Sequence, residues 1–317
     1  MTQTRPNLSE LPDVFAMELP QLAAISLSGE EQNHYLQGQV TCDVLSLESA
    51  KLLSGAHCNA KGKVLSVFRL FEHQSQLLLV QPTSTTPTSL KELQKFGVFA
   101  KVDINLAENI NLFAIAGHGS AEIINQISDT VPDNLTPVVS TPETTIIYIA
   151  GEVPRYLFVS TQSMNDIIPE QVSSVPSDVW QLLEINDGFP VMAESHIEQY
   201  VPQMLNLQAI GAISFTKGCY LGQETVARMQ YLGKNKRSLF SLSATSDSDL
   251  TSATAIEQAM GENWRKAGDV LAYYQAADGQ VLLQAVLASD MESDQSLRLK
   301  EFDNVVCNIK PLPYSLT

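Results

Sequence analysis

The carboxy-terminal quarter of the chain has a hydrophobic pattern that allows few architectures. From Arg237 onward, short runs of alternating apolar and polar residues are separated by turns rich in Gly, Asp and Ser. Alternation with a period of two is typical of strands with one buried face, and several short strands at regular spacing predict a small β-barrel or sandwich. We therefore predict a core over residues 1–236 and a C-terminal β-barrel domain over residues 237–317.

The residues before this boundary mix strands and helices. Two strand-like runs, 52–58 and 64–71, flank a turn sequence in which Gly62 is placed for a hairpin. A helix and a returning strand, predicted over 98–104, complete this first cycle of elements. A second cycle with a similar order of elements is predicted roughly over 105–172, as an inserted module. This order of elements predicts the α+β class with mostly antiparallel sheets.

The most distinctive stretch is the run 213–228, ISFTKGCYLGQETVAR. Gly218 and Gly222 bracket Cys219 in what should be a tight loop, and a run of good helix formers follows. The positive end of a helix dipole and the nearby Lys217 both favour a thiolate, which makes a reactive thiol one interpretation of Cys219. The other interpretation is a small packed residue in a loop whose glycines serve only the turn.

The charge balance argues against general nucleic-acid binding. The chain has 35 acidic and 19 basic residues, a formal net charge of −16, whereas neutralisation of phosphates supplies most non-specific affinity for nucleic acids. Between residues 217 and 237 the balance reverses, with a basic patch around Lys217, Arg228 and Lys234 and Glu224 as the one acid. This patch predicts either a site for a local anionic ligand or a solvated positive face.

The cysteines and the apolar runs exclude several classes of protein. The four cysteines are scattered and form no C-x-x-C pair, so a disulfide framework and a metal centre are both unsupported. No apolar run approaches the roughly 18 residues that a membrane-spanning helix needs. Residues 1–13 are polar and lack the apolar core of a signal peptide. We expect a cytoplasmic chain that binds neither metal nor membrane.

Several segments together resemble one protein family. The run 213–228 is similar to the signature of the YgfZ family, folate-binding proteins related to the T-protein (aminomethyltransferase) of the glycine-cleavage system. Further segments share this resemblance, in the expected order along nearly the whole chain: 35–41, 57–63, 202–208, 233–237, 260–265 and 311–316. The resemblance implies a T-protein-like ring, in which two interleaved ferredoxin-like modules enclose a channel and a C-terminal β-barrel completes the ring.

The same resemblance implies a function. It implies that tetrahydrofolate binds non-covalently in the channel, and that the protein supports iron–sulfur enzymes, including enzymes that modify tRNA. The alternative is a folate-dependent one-carbon transferase of the aminomethyl type. Direct binding of tRNA through the basic patch is doubtful for so acidic a chain.

The resemblance also implies roles for single residues. Cys219 matches the signature cysteine and is predicted to be a functional thiol, with Lys217 beside it. Trp180 matches one of two family tryptophans linked with folate contact, although its position in an amphipathic helix also fits plain packing against the core. The other tryptophan falls on Leu22, which predicts weaker or differently posed folate. The remaining predicted folate contacts are Tyr220, Gln223 and Arg228.

Overall fold

The computed structural model describes residues 5–233 and 235–316. Its helices are α1 (Gln32–Gln37), α2 (Leu47–Ala50), α3 (Thr86–Gly97), α4 (Ser120–Ile127), α5 (Met164–Ile167), α6 (Val179–Asn186) and α7 (Gln223–Tyr231). Its strands are β1 (Phe15–Glu18), β2 (Leu22–Ser28), β3 (Leu52–Cys58), β4 (Val64–His73), β5 (Gln76–Pro82), β6 (Asp103–Leu106), β7 (Asn111–Ala116), β8 (Val138–Ser140), β9 (Thr144–Ile149), β10 (Arg155–Ser160), β11 (Ser173–Ser174), β12 (Arg237–Thr245), β13 (Ala255–Met260), β14 (Asn263–Gln275), β15 (Gln280–Ala288), β16 (Leu297–Leu299) and β17 (Phe302–Lys310). None of the helices in these residues combines the length and the hydrophobicity that crossing a lipid bilayer requires.

The first module is an antiparallel five-stranded sheet in the order β3-β4-β5-β2-β6. The β3–β4 hairpin closes through the predicted turn, where Gly62 takes a φ of +72°, a left-handed conformation that favours glycine. The prediction of a strand over 98–104 is wrong at its start. Helix α3 continues to Gly97, and Phe99 in the following turn is 97% exposed, so the strand begins only at Asp103. The apolar pattern was misleading because this aromatic residue stays outside the core.

The second module is a six-stranded sheet in the order β11-β1-β7-β10-β9-β8. Strand β1 comes before the first module in the sequence, yet it pairs antiparallel with β7, with Phe15 opposite Ala116. Strand β2, which begins at Leu22, already belongs to the other sheet. The chain therefore passes from one sheet to the other within residues 19–21. This crossing makes the two modules interleaved and confirms the α+β class.

The C-terminal strands form a closed barrel in the order β12-β15-β14-β13-β16-β17. Apolar side chains on alternate positions fill its interior, among them Leu242, Ile256, Leu283 and Val305, which are fully buried. Closure removes the free edges that an open antiparallel sheet would expose. The barrel predicted from the spacing of the short strands is confirmed.

The barrel docks on the core through α6 and the loop that follows it. The Gln181 side chain donates a hydrogen bond to the Tyr273 carbonyl in β14 at 2.6 Å. The Gln284 amide, from β15, donates to the Phe189 carbonyl at 2.8 Å and accepts from the Val191 backbone N–H at 3.1 Å. These contacts hold β14 and β15 against α6, so the barrel supplies one wall of the cavity described next.

Candidate functional site

A cavity of about 900 Å³ lies where the first module, helix α6 and the barrel meet. Strand β2 contributes Leu22, strands β4 and β5 contribute Arg69 and Gln81, and α6 contributes Trp180 and Glu184 to its lining. Trp180 is 3% exposed, so its ring forms part of a wall that is shielded from solvent. Concave, mixed apolar and polar sites of this size are typical of cofactor binding. Of the predicted folate contacts, Trp180 and Leu22 line this cavity.

A buried cluster of charges stands behind Trp180. Both oxygens of the Glu184 carboxylate accept from Arg69 Nη2 at 3.0 Å, and Oε1 also accepts from Arg155 Nη2 at 2.7 Å. Arg155 Nη1 reaches Asp187 Oδ2 at 2.5 Å. The guanidinium carbons of Arg155 and Arg69 lie 5.1 and 5.9 Å from the centre of the Trp180 ring. The four charges sum to zero, so the cluster is paired internally and fixes the orientation of the indole.

The two buried arginines respond differently to these surroundings. Burial lowers the pKa of Arg69, and repulsion from Arg155 adds to this effect, while attraction by Glu184 opposes it. Burial also lowers the pKa of Arg155, but Glu184 and Asp187 together outweigh the burial and raise it. The surroundings thus stabilise the positive charge of Arg155 more than that of Arg69. Arg69, which lines the cavity and lies 3.9 Å from the centre of the Phe189 ring, is the one that a ligand can contact.

Gln81 adds an unused acceptor to the cavity wall. Its side chain is 1% exposed, and its Oε1 atom has no hydrogen-bond donor within residues 5–233 and 235–316. Its amide nitrogen makes one long contact, 3.4 Å, with Thr86 Oγ1. A buried polar atom without a partner costs free energy, so the acceptor of Gln81, a residue of the cavity lining, favours a ligand that brings a donor.

The loop that carries Cys219 lies elsewhere, at the start of α7. Cys219 is exposed, and the helix begins at Gln223 directly after Gly222, as the sequence predicts. Gly222 has a φ of +82°, and a Cβ placed on it would stand 2.5 Å from the Asn59 carbonyl oxygen and 2.7 Å from the Gly62 Cα. Two glycines therefore allow the loop and the β3–β4 turn to meet backbone to backbone.

Lys217 holds this loop in place and does not donate to the thiol. Its ammonium donates hydrogen bonds to the carbonyls of Gln37, Val40 and Cys42, at 2.7, 2.8 and 2.7 Å. Burial lowers the pKa of Lys217 to about 8, so at neutral pH the group keeps all three of its N–H donors. All three are used by carbonyls. The predicted partnership of Lys217 with the Cys219 thiol is therefore replaced by an anchor to residues 37–42.

The remaining predicted residues surround the same loop and do not line the cavity. Tyr220 is buried, with its ring centre 5.1 Å from Lys217 Nζ. Gln223 is half-buried in the first turn of α7, and Arg228 is exposed further along the helix. Lys234, the third member of the predicted basic patch, lies outside the described residues. The structure thus divides the predicted site into a cavity and a separate thiol loop.

The β3–β4 turn connects these two places. On one side Gly62 meets Gly222 of the thiol loop, as described above. On the other side the Asn59 amide donates to Glu198 Oε1 at 2.8 Å, and the next residue, Gln199, lines the cavity. One turn of five residues therefore contacts both the loop that presents Cys219 and a segment of the cavity wall.

Sequence reasoning missed Arg69, Gln81 and Glu184, although the sequence carries signals for two of them. Glu184 follows Trp180 by four residues in α6, so both side chains lie on one face of the helix. Arg69 interrupts the otherwise apolar centre of a strand that is buried along nearly its whole length. Charges in such positions are rare unless they are paired or functional. Gln81 carries no comparable signal.

Comparisons with known proteins find relatives of this chain that share one name. A profile described as "YgfZ, beta-barrel domain" matches residues 235–303. The "tRNA-modifying protein YgfZ" of Colwellia psychrerythraea (strain 34H) is 53% identical over 313 residues, covering 98% of this chain and 96% of that protein. The protein of the same name from Vibrio atlanticus (strain LGP32) is 39% identical over 310 residues, covering 96% and 94%.

A solved structure shares the fold at much lower identity. The glycine cleavage system aminomethyltransferase T from Bartonella henselae superposes with a TM-score of 0.72 over 95% of this chain and 86% of that chain, at 12% identity. This likeness shows the T-protein-like architecture. The identity to the Colwellia and Vibrio proteins extends over nearly the full length of both partners. The chain belongs to the YgfZ family.

Proposed function

We propose that this protein binds a reduced folate in the cavity and acts as an accessory protein for iron–sulfur-dependent enzymes, including enzymes that modify tRNA. In this proposal the core, residues 1–236, holds the ligand, and the barrel, residues 237–317, closes the cavity. Two relatives that are similar over nearly their whole length are named as tRNA-modifying proteins, which supports the tRNA part of the proposal.

The observation that carries the folate part is the composition of the buried end of the cavity. A pterin is a flat heteroaromatic ring with several N–H donors on its edge. Trp180 offers an aromatic wall, while the Gln81 Oε1 atom and the Glu184 carboxylate offer acceptors. These three groups would hold the ring, and Arg69 would face its carbonyl edge. A bound tetrahydrofolate would supply a carrier for one-carbon groups.

The position of Cys219 favours an accessory role over one-carbon transfer to the thiol. The thiol is exposed on a loop that does not line the cavity, so it is not placed to react with a ligand inside it. We propose instead that Cys219 acts on a partner protein at the surface. The other three cysteines are buried, and burial raises the pKa of each of them to about 12, whereas Cys219 is exposed and can be reached by a partner.

Folate binding is tested by titrating tetrahydrofolate and its formyl and methylene forms into the protein. The chain has two tryptophans, and the other one, Trp264, does not line the cavity. In a Trp264→Phe variant, Trp180 fluorescence then reports on the cavity alone. We expect saturable quenching by at least one form. Unchanged fluorescence, together with no heat by calorimetry for any form, would refute folate binding.

A second variant tests the stacking wall without removing a core residue. Leu22 lines the cavity where the family resemblance places a tryptophan. Leu22→Trp should tighten binding by roughly 2- to 12-fold, the value of one added aromatic contact of about 0.5–1.5 kcal/mol. Calorimetry on this variant beside the parent measures the change. Equal or weaker affinity in a folded Leu22→Trp protein would place the ligand elsewhere.

The cellular role is tested in a bacterial strain that lacks its own family member. Cys219→Ser should lower the iron–sulfur-dependent modified nucleosides in bulk tRNA, measured by mass spectrometry, while folate titration in vitro stays unchanged. Thr216→Ala, at an exposed neighbour in the same loop, is the matched control and should support normal levels. If tRNA is fully modified in the strain that carries Cys219→Ser, the thiol is not required and its proposed role is refuted.

A further inference from the structure

The cavity has two ends of different character. At the buried end, Trp180 and Glu184 are each 3% exposed. At the other end, side chains of Arg237, Lys266 and Asp269 line the cavity with exposures of 45%, 56% and 34%. The barrel supplies all three, from the first residue of β12 and from β14. The barrel end is therefore an opening of the cavity toward solvent.

The opening carries an excess of positive charge. Lys266 Nζ lies 2.5 Å from Asp269 Oδ1, and Arg237 Nη1 lies 3.7 Å from Asp269 Oδ2, so two cations share one carboxylate. His196 also lines the cavity, but burial lowers its pKa below the usual 6.5, which keeps it neutral at pH 7. The three charged side chains that line the opening thus sum to +1, in a chain whose formal net charge is −16. An anionic group is favoured here against the overall field.

Strand β14 gives the distance between the two ends. Tyr273 lines the cavity at the point where its carbonyl accepts from Gln181 of α6, and Asp269 lines it at the opening. Four residues of a regular strand span roughly 13 Å at ~3.3 Å per residue, and the irregularity between Val270 and Ala272 makes the span here somewhat shorter. A ligand whose ring lies against Trp180 must therefore extend along β14 before an anionic tail can reach Lys266.

We infer that Lys266 and Arg237 bind the carboxylates of a polyglutamate tail on the ligand, and that Asp269 competes with this tail for the two cations. The inference rests on the proposed folate site and names the form of folate that the site selects. It also places the tail contacts away from Lys217 and Arg228 of the basic patch, which do not line the cavity.

The affinity difference follows from the exposure of the contacts. An ion pair between exposed groups changes affinity by roughly 1.4- to 5-fold, and two such contacts give roughly 2- to 25-fold. We expect tetrahydrofolate pentaglutamate to bind about tenfold more tightly than the monoglutamate. Raising the salt concentration should reduce this preference, because screening acts on exposed charges.

Calorimetric titration of both forms into the full chain tests the inference. Lys266→Ala and Arg237→Ala should each reduce the preference for pentaglutamate by a few-fold, because the pentaglutamate loses more affinity than the monoglutamate, which carries fewer carboxylates. Asp269→Asn should increase the preference, because it removes the competing carboxylate. Lys236→Ala is the matched control, since Lys236 is an exposed cation next to Arg237 that does not line the cavity.

The outcomes separate the inference from the proposed function. If neither form binds, the folate proposal fails and the inference fails with it. If both forms bind equally to the parent protein, the folate proposal stands and the inference is overturned. A preference that Lys236→Ala weakens as much as Lys266→Ala would also overturn it, because the effect would then come from general charge rather than from the opening.

Discussion

Replacing Glu184 by glutamine tests the buried charge cluster most directly. The carboxylate is 3% exposed and accepts from two guanidinium groups, those of Arg69 and Arg155. Glutamine keeps the shape of the side chain but removes the charge and turns an N–H donor toward cations. The two arginines would then share Asp187 alone. Breaking a buried ion pair by removing one partner costs about 3–5 kcal/mol, and we expect Glu184→Gln to lower the free energy of unfolding by that amount.

Urea unfolding followed by circular dichroism measures this loss. Glu30→Gln is the matched control, because Glu30 forms an ion pair with Lys101 in which the side chains are 79% and 74% exposed. An exposed pair of this kind contributes at most about 1 kcal/mol. The reasoning is refuted if Glu184→Gln costs no more than Glu30→Gln, since the cluster would then behave as if it were solvated.

Two further predictions concern His57 and Gly222. His57 is fully buried, and burial lowers its pKa to about 4 from 6.5, so only the unfolded chain takes up this proton as the pH falls from 6.5 to 4. Because of this group, the free energy of unfolding should fall by on the order of 2 kcal/mol between pH 7 and pH 5. In urea unfolding, the His57→Gln variant should lose about that much less between the two pH values. Gly222→Ala should cost about 1–3 kcal/mol, because its φ is +82° and its Cβ would meet the Asn59 carbonyl, whereas Gly218→Ala, with open space around it, should cost under about 0.5 kcal/mol. Equal urea midpoints for the two alanine variants would contradict the backbone contact.

The sequence by itself determined the elements whose cause is local. Alternating residues after Arg237 predicted the barrel strands, because a strand with one buried face repeats every two residues. The hairpin at Gly62 and the helix that begins after Gly222 were predicted from turn residues and helix formers, which act within a few positions of the chain. The resemblance to a known family added the interleaved ring and the cavity residues Trp180 and Leu22.

The tertiary structure decided what depends on contacts between distant residues. Strand β1 pairs with a strand that lies about a hundred residues later, and no local periodicity of the sequence indicates that partner. Lys217 was assigned to the thiol two positions away, yet its three donors go to carbonyls 175 to 180 residues earlier. Glu184 of α6 and Arg69 of β4, which lie 115 residues apart in the sequence, became a pair only in the folded chain. Side chains find such partners through burial, since a charge removed from water must be matched by whatever group the fold brings within hydrogen-bond distance.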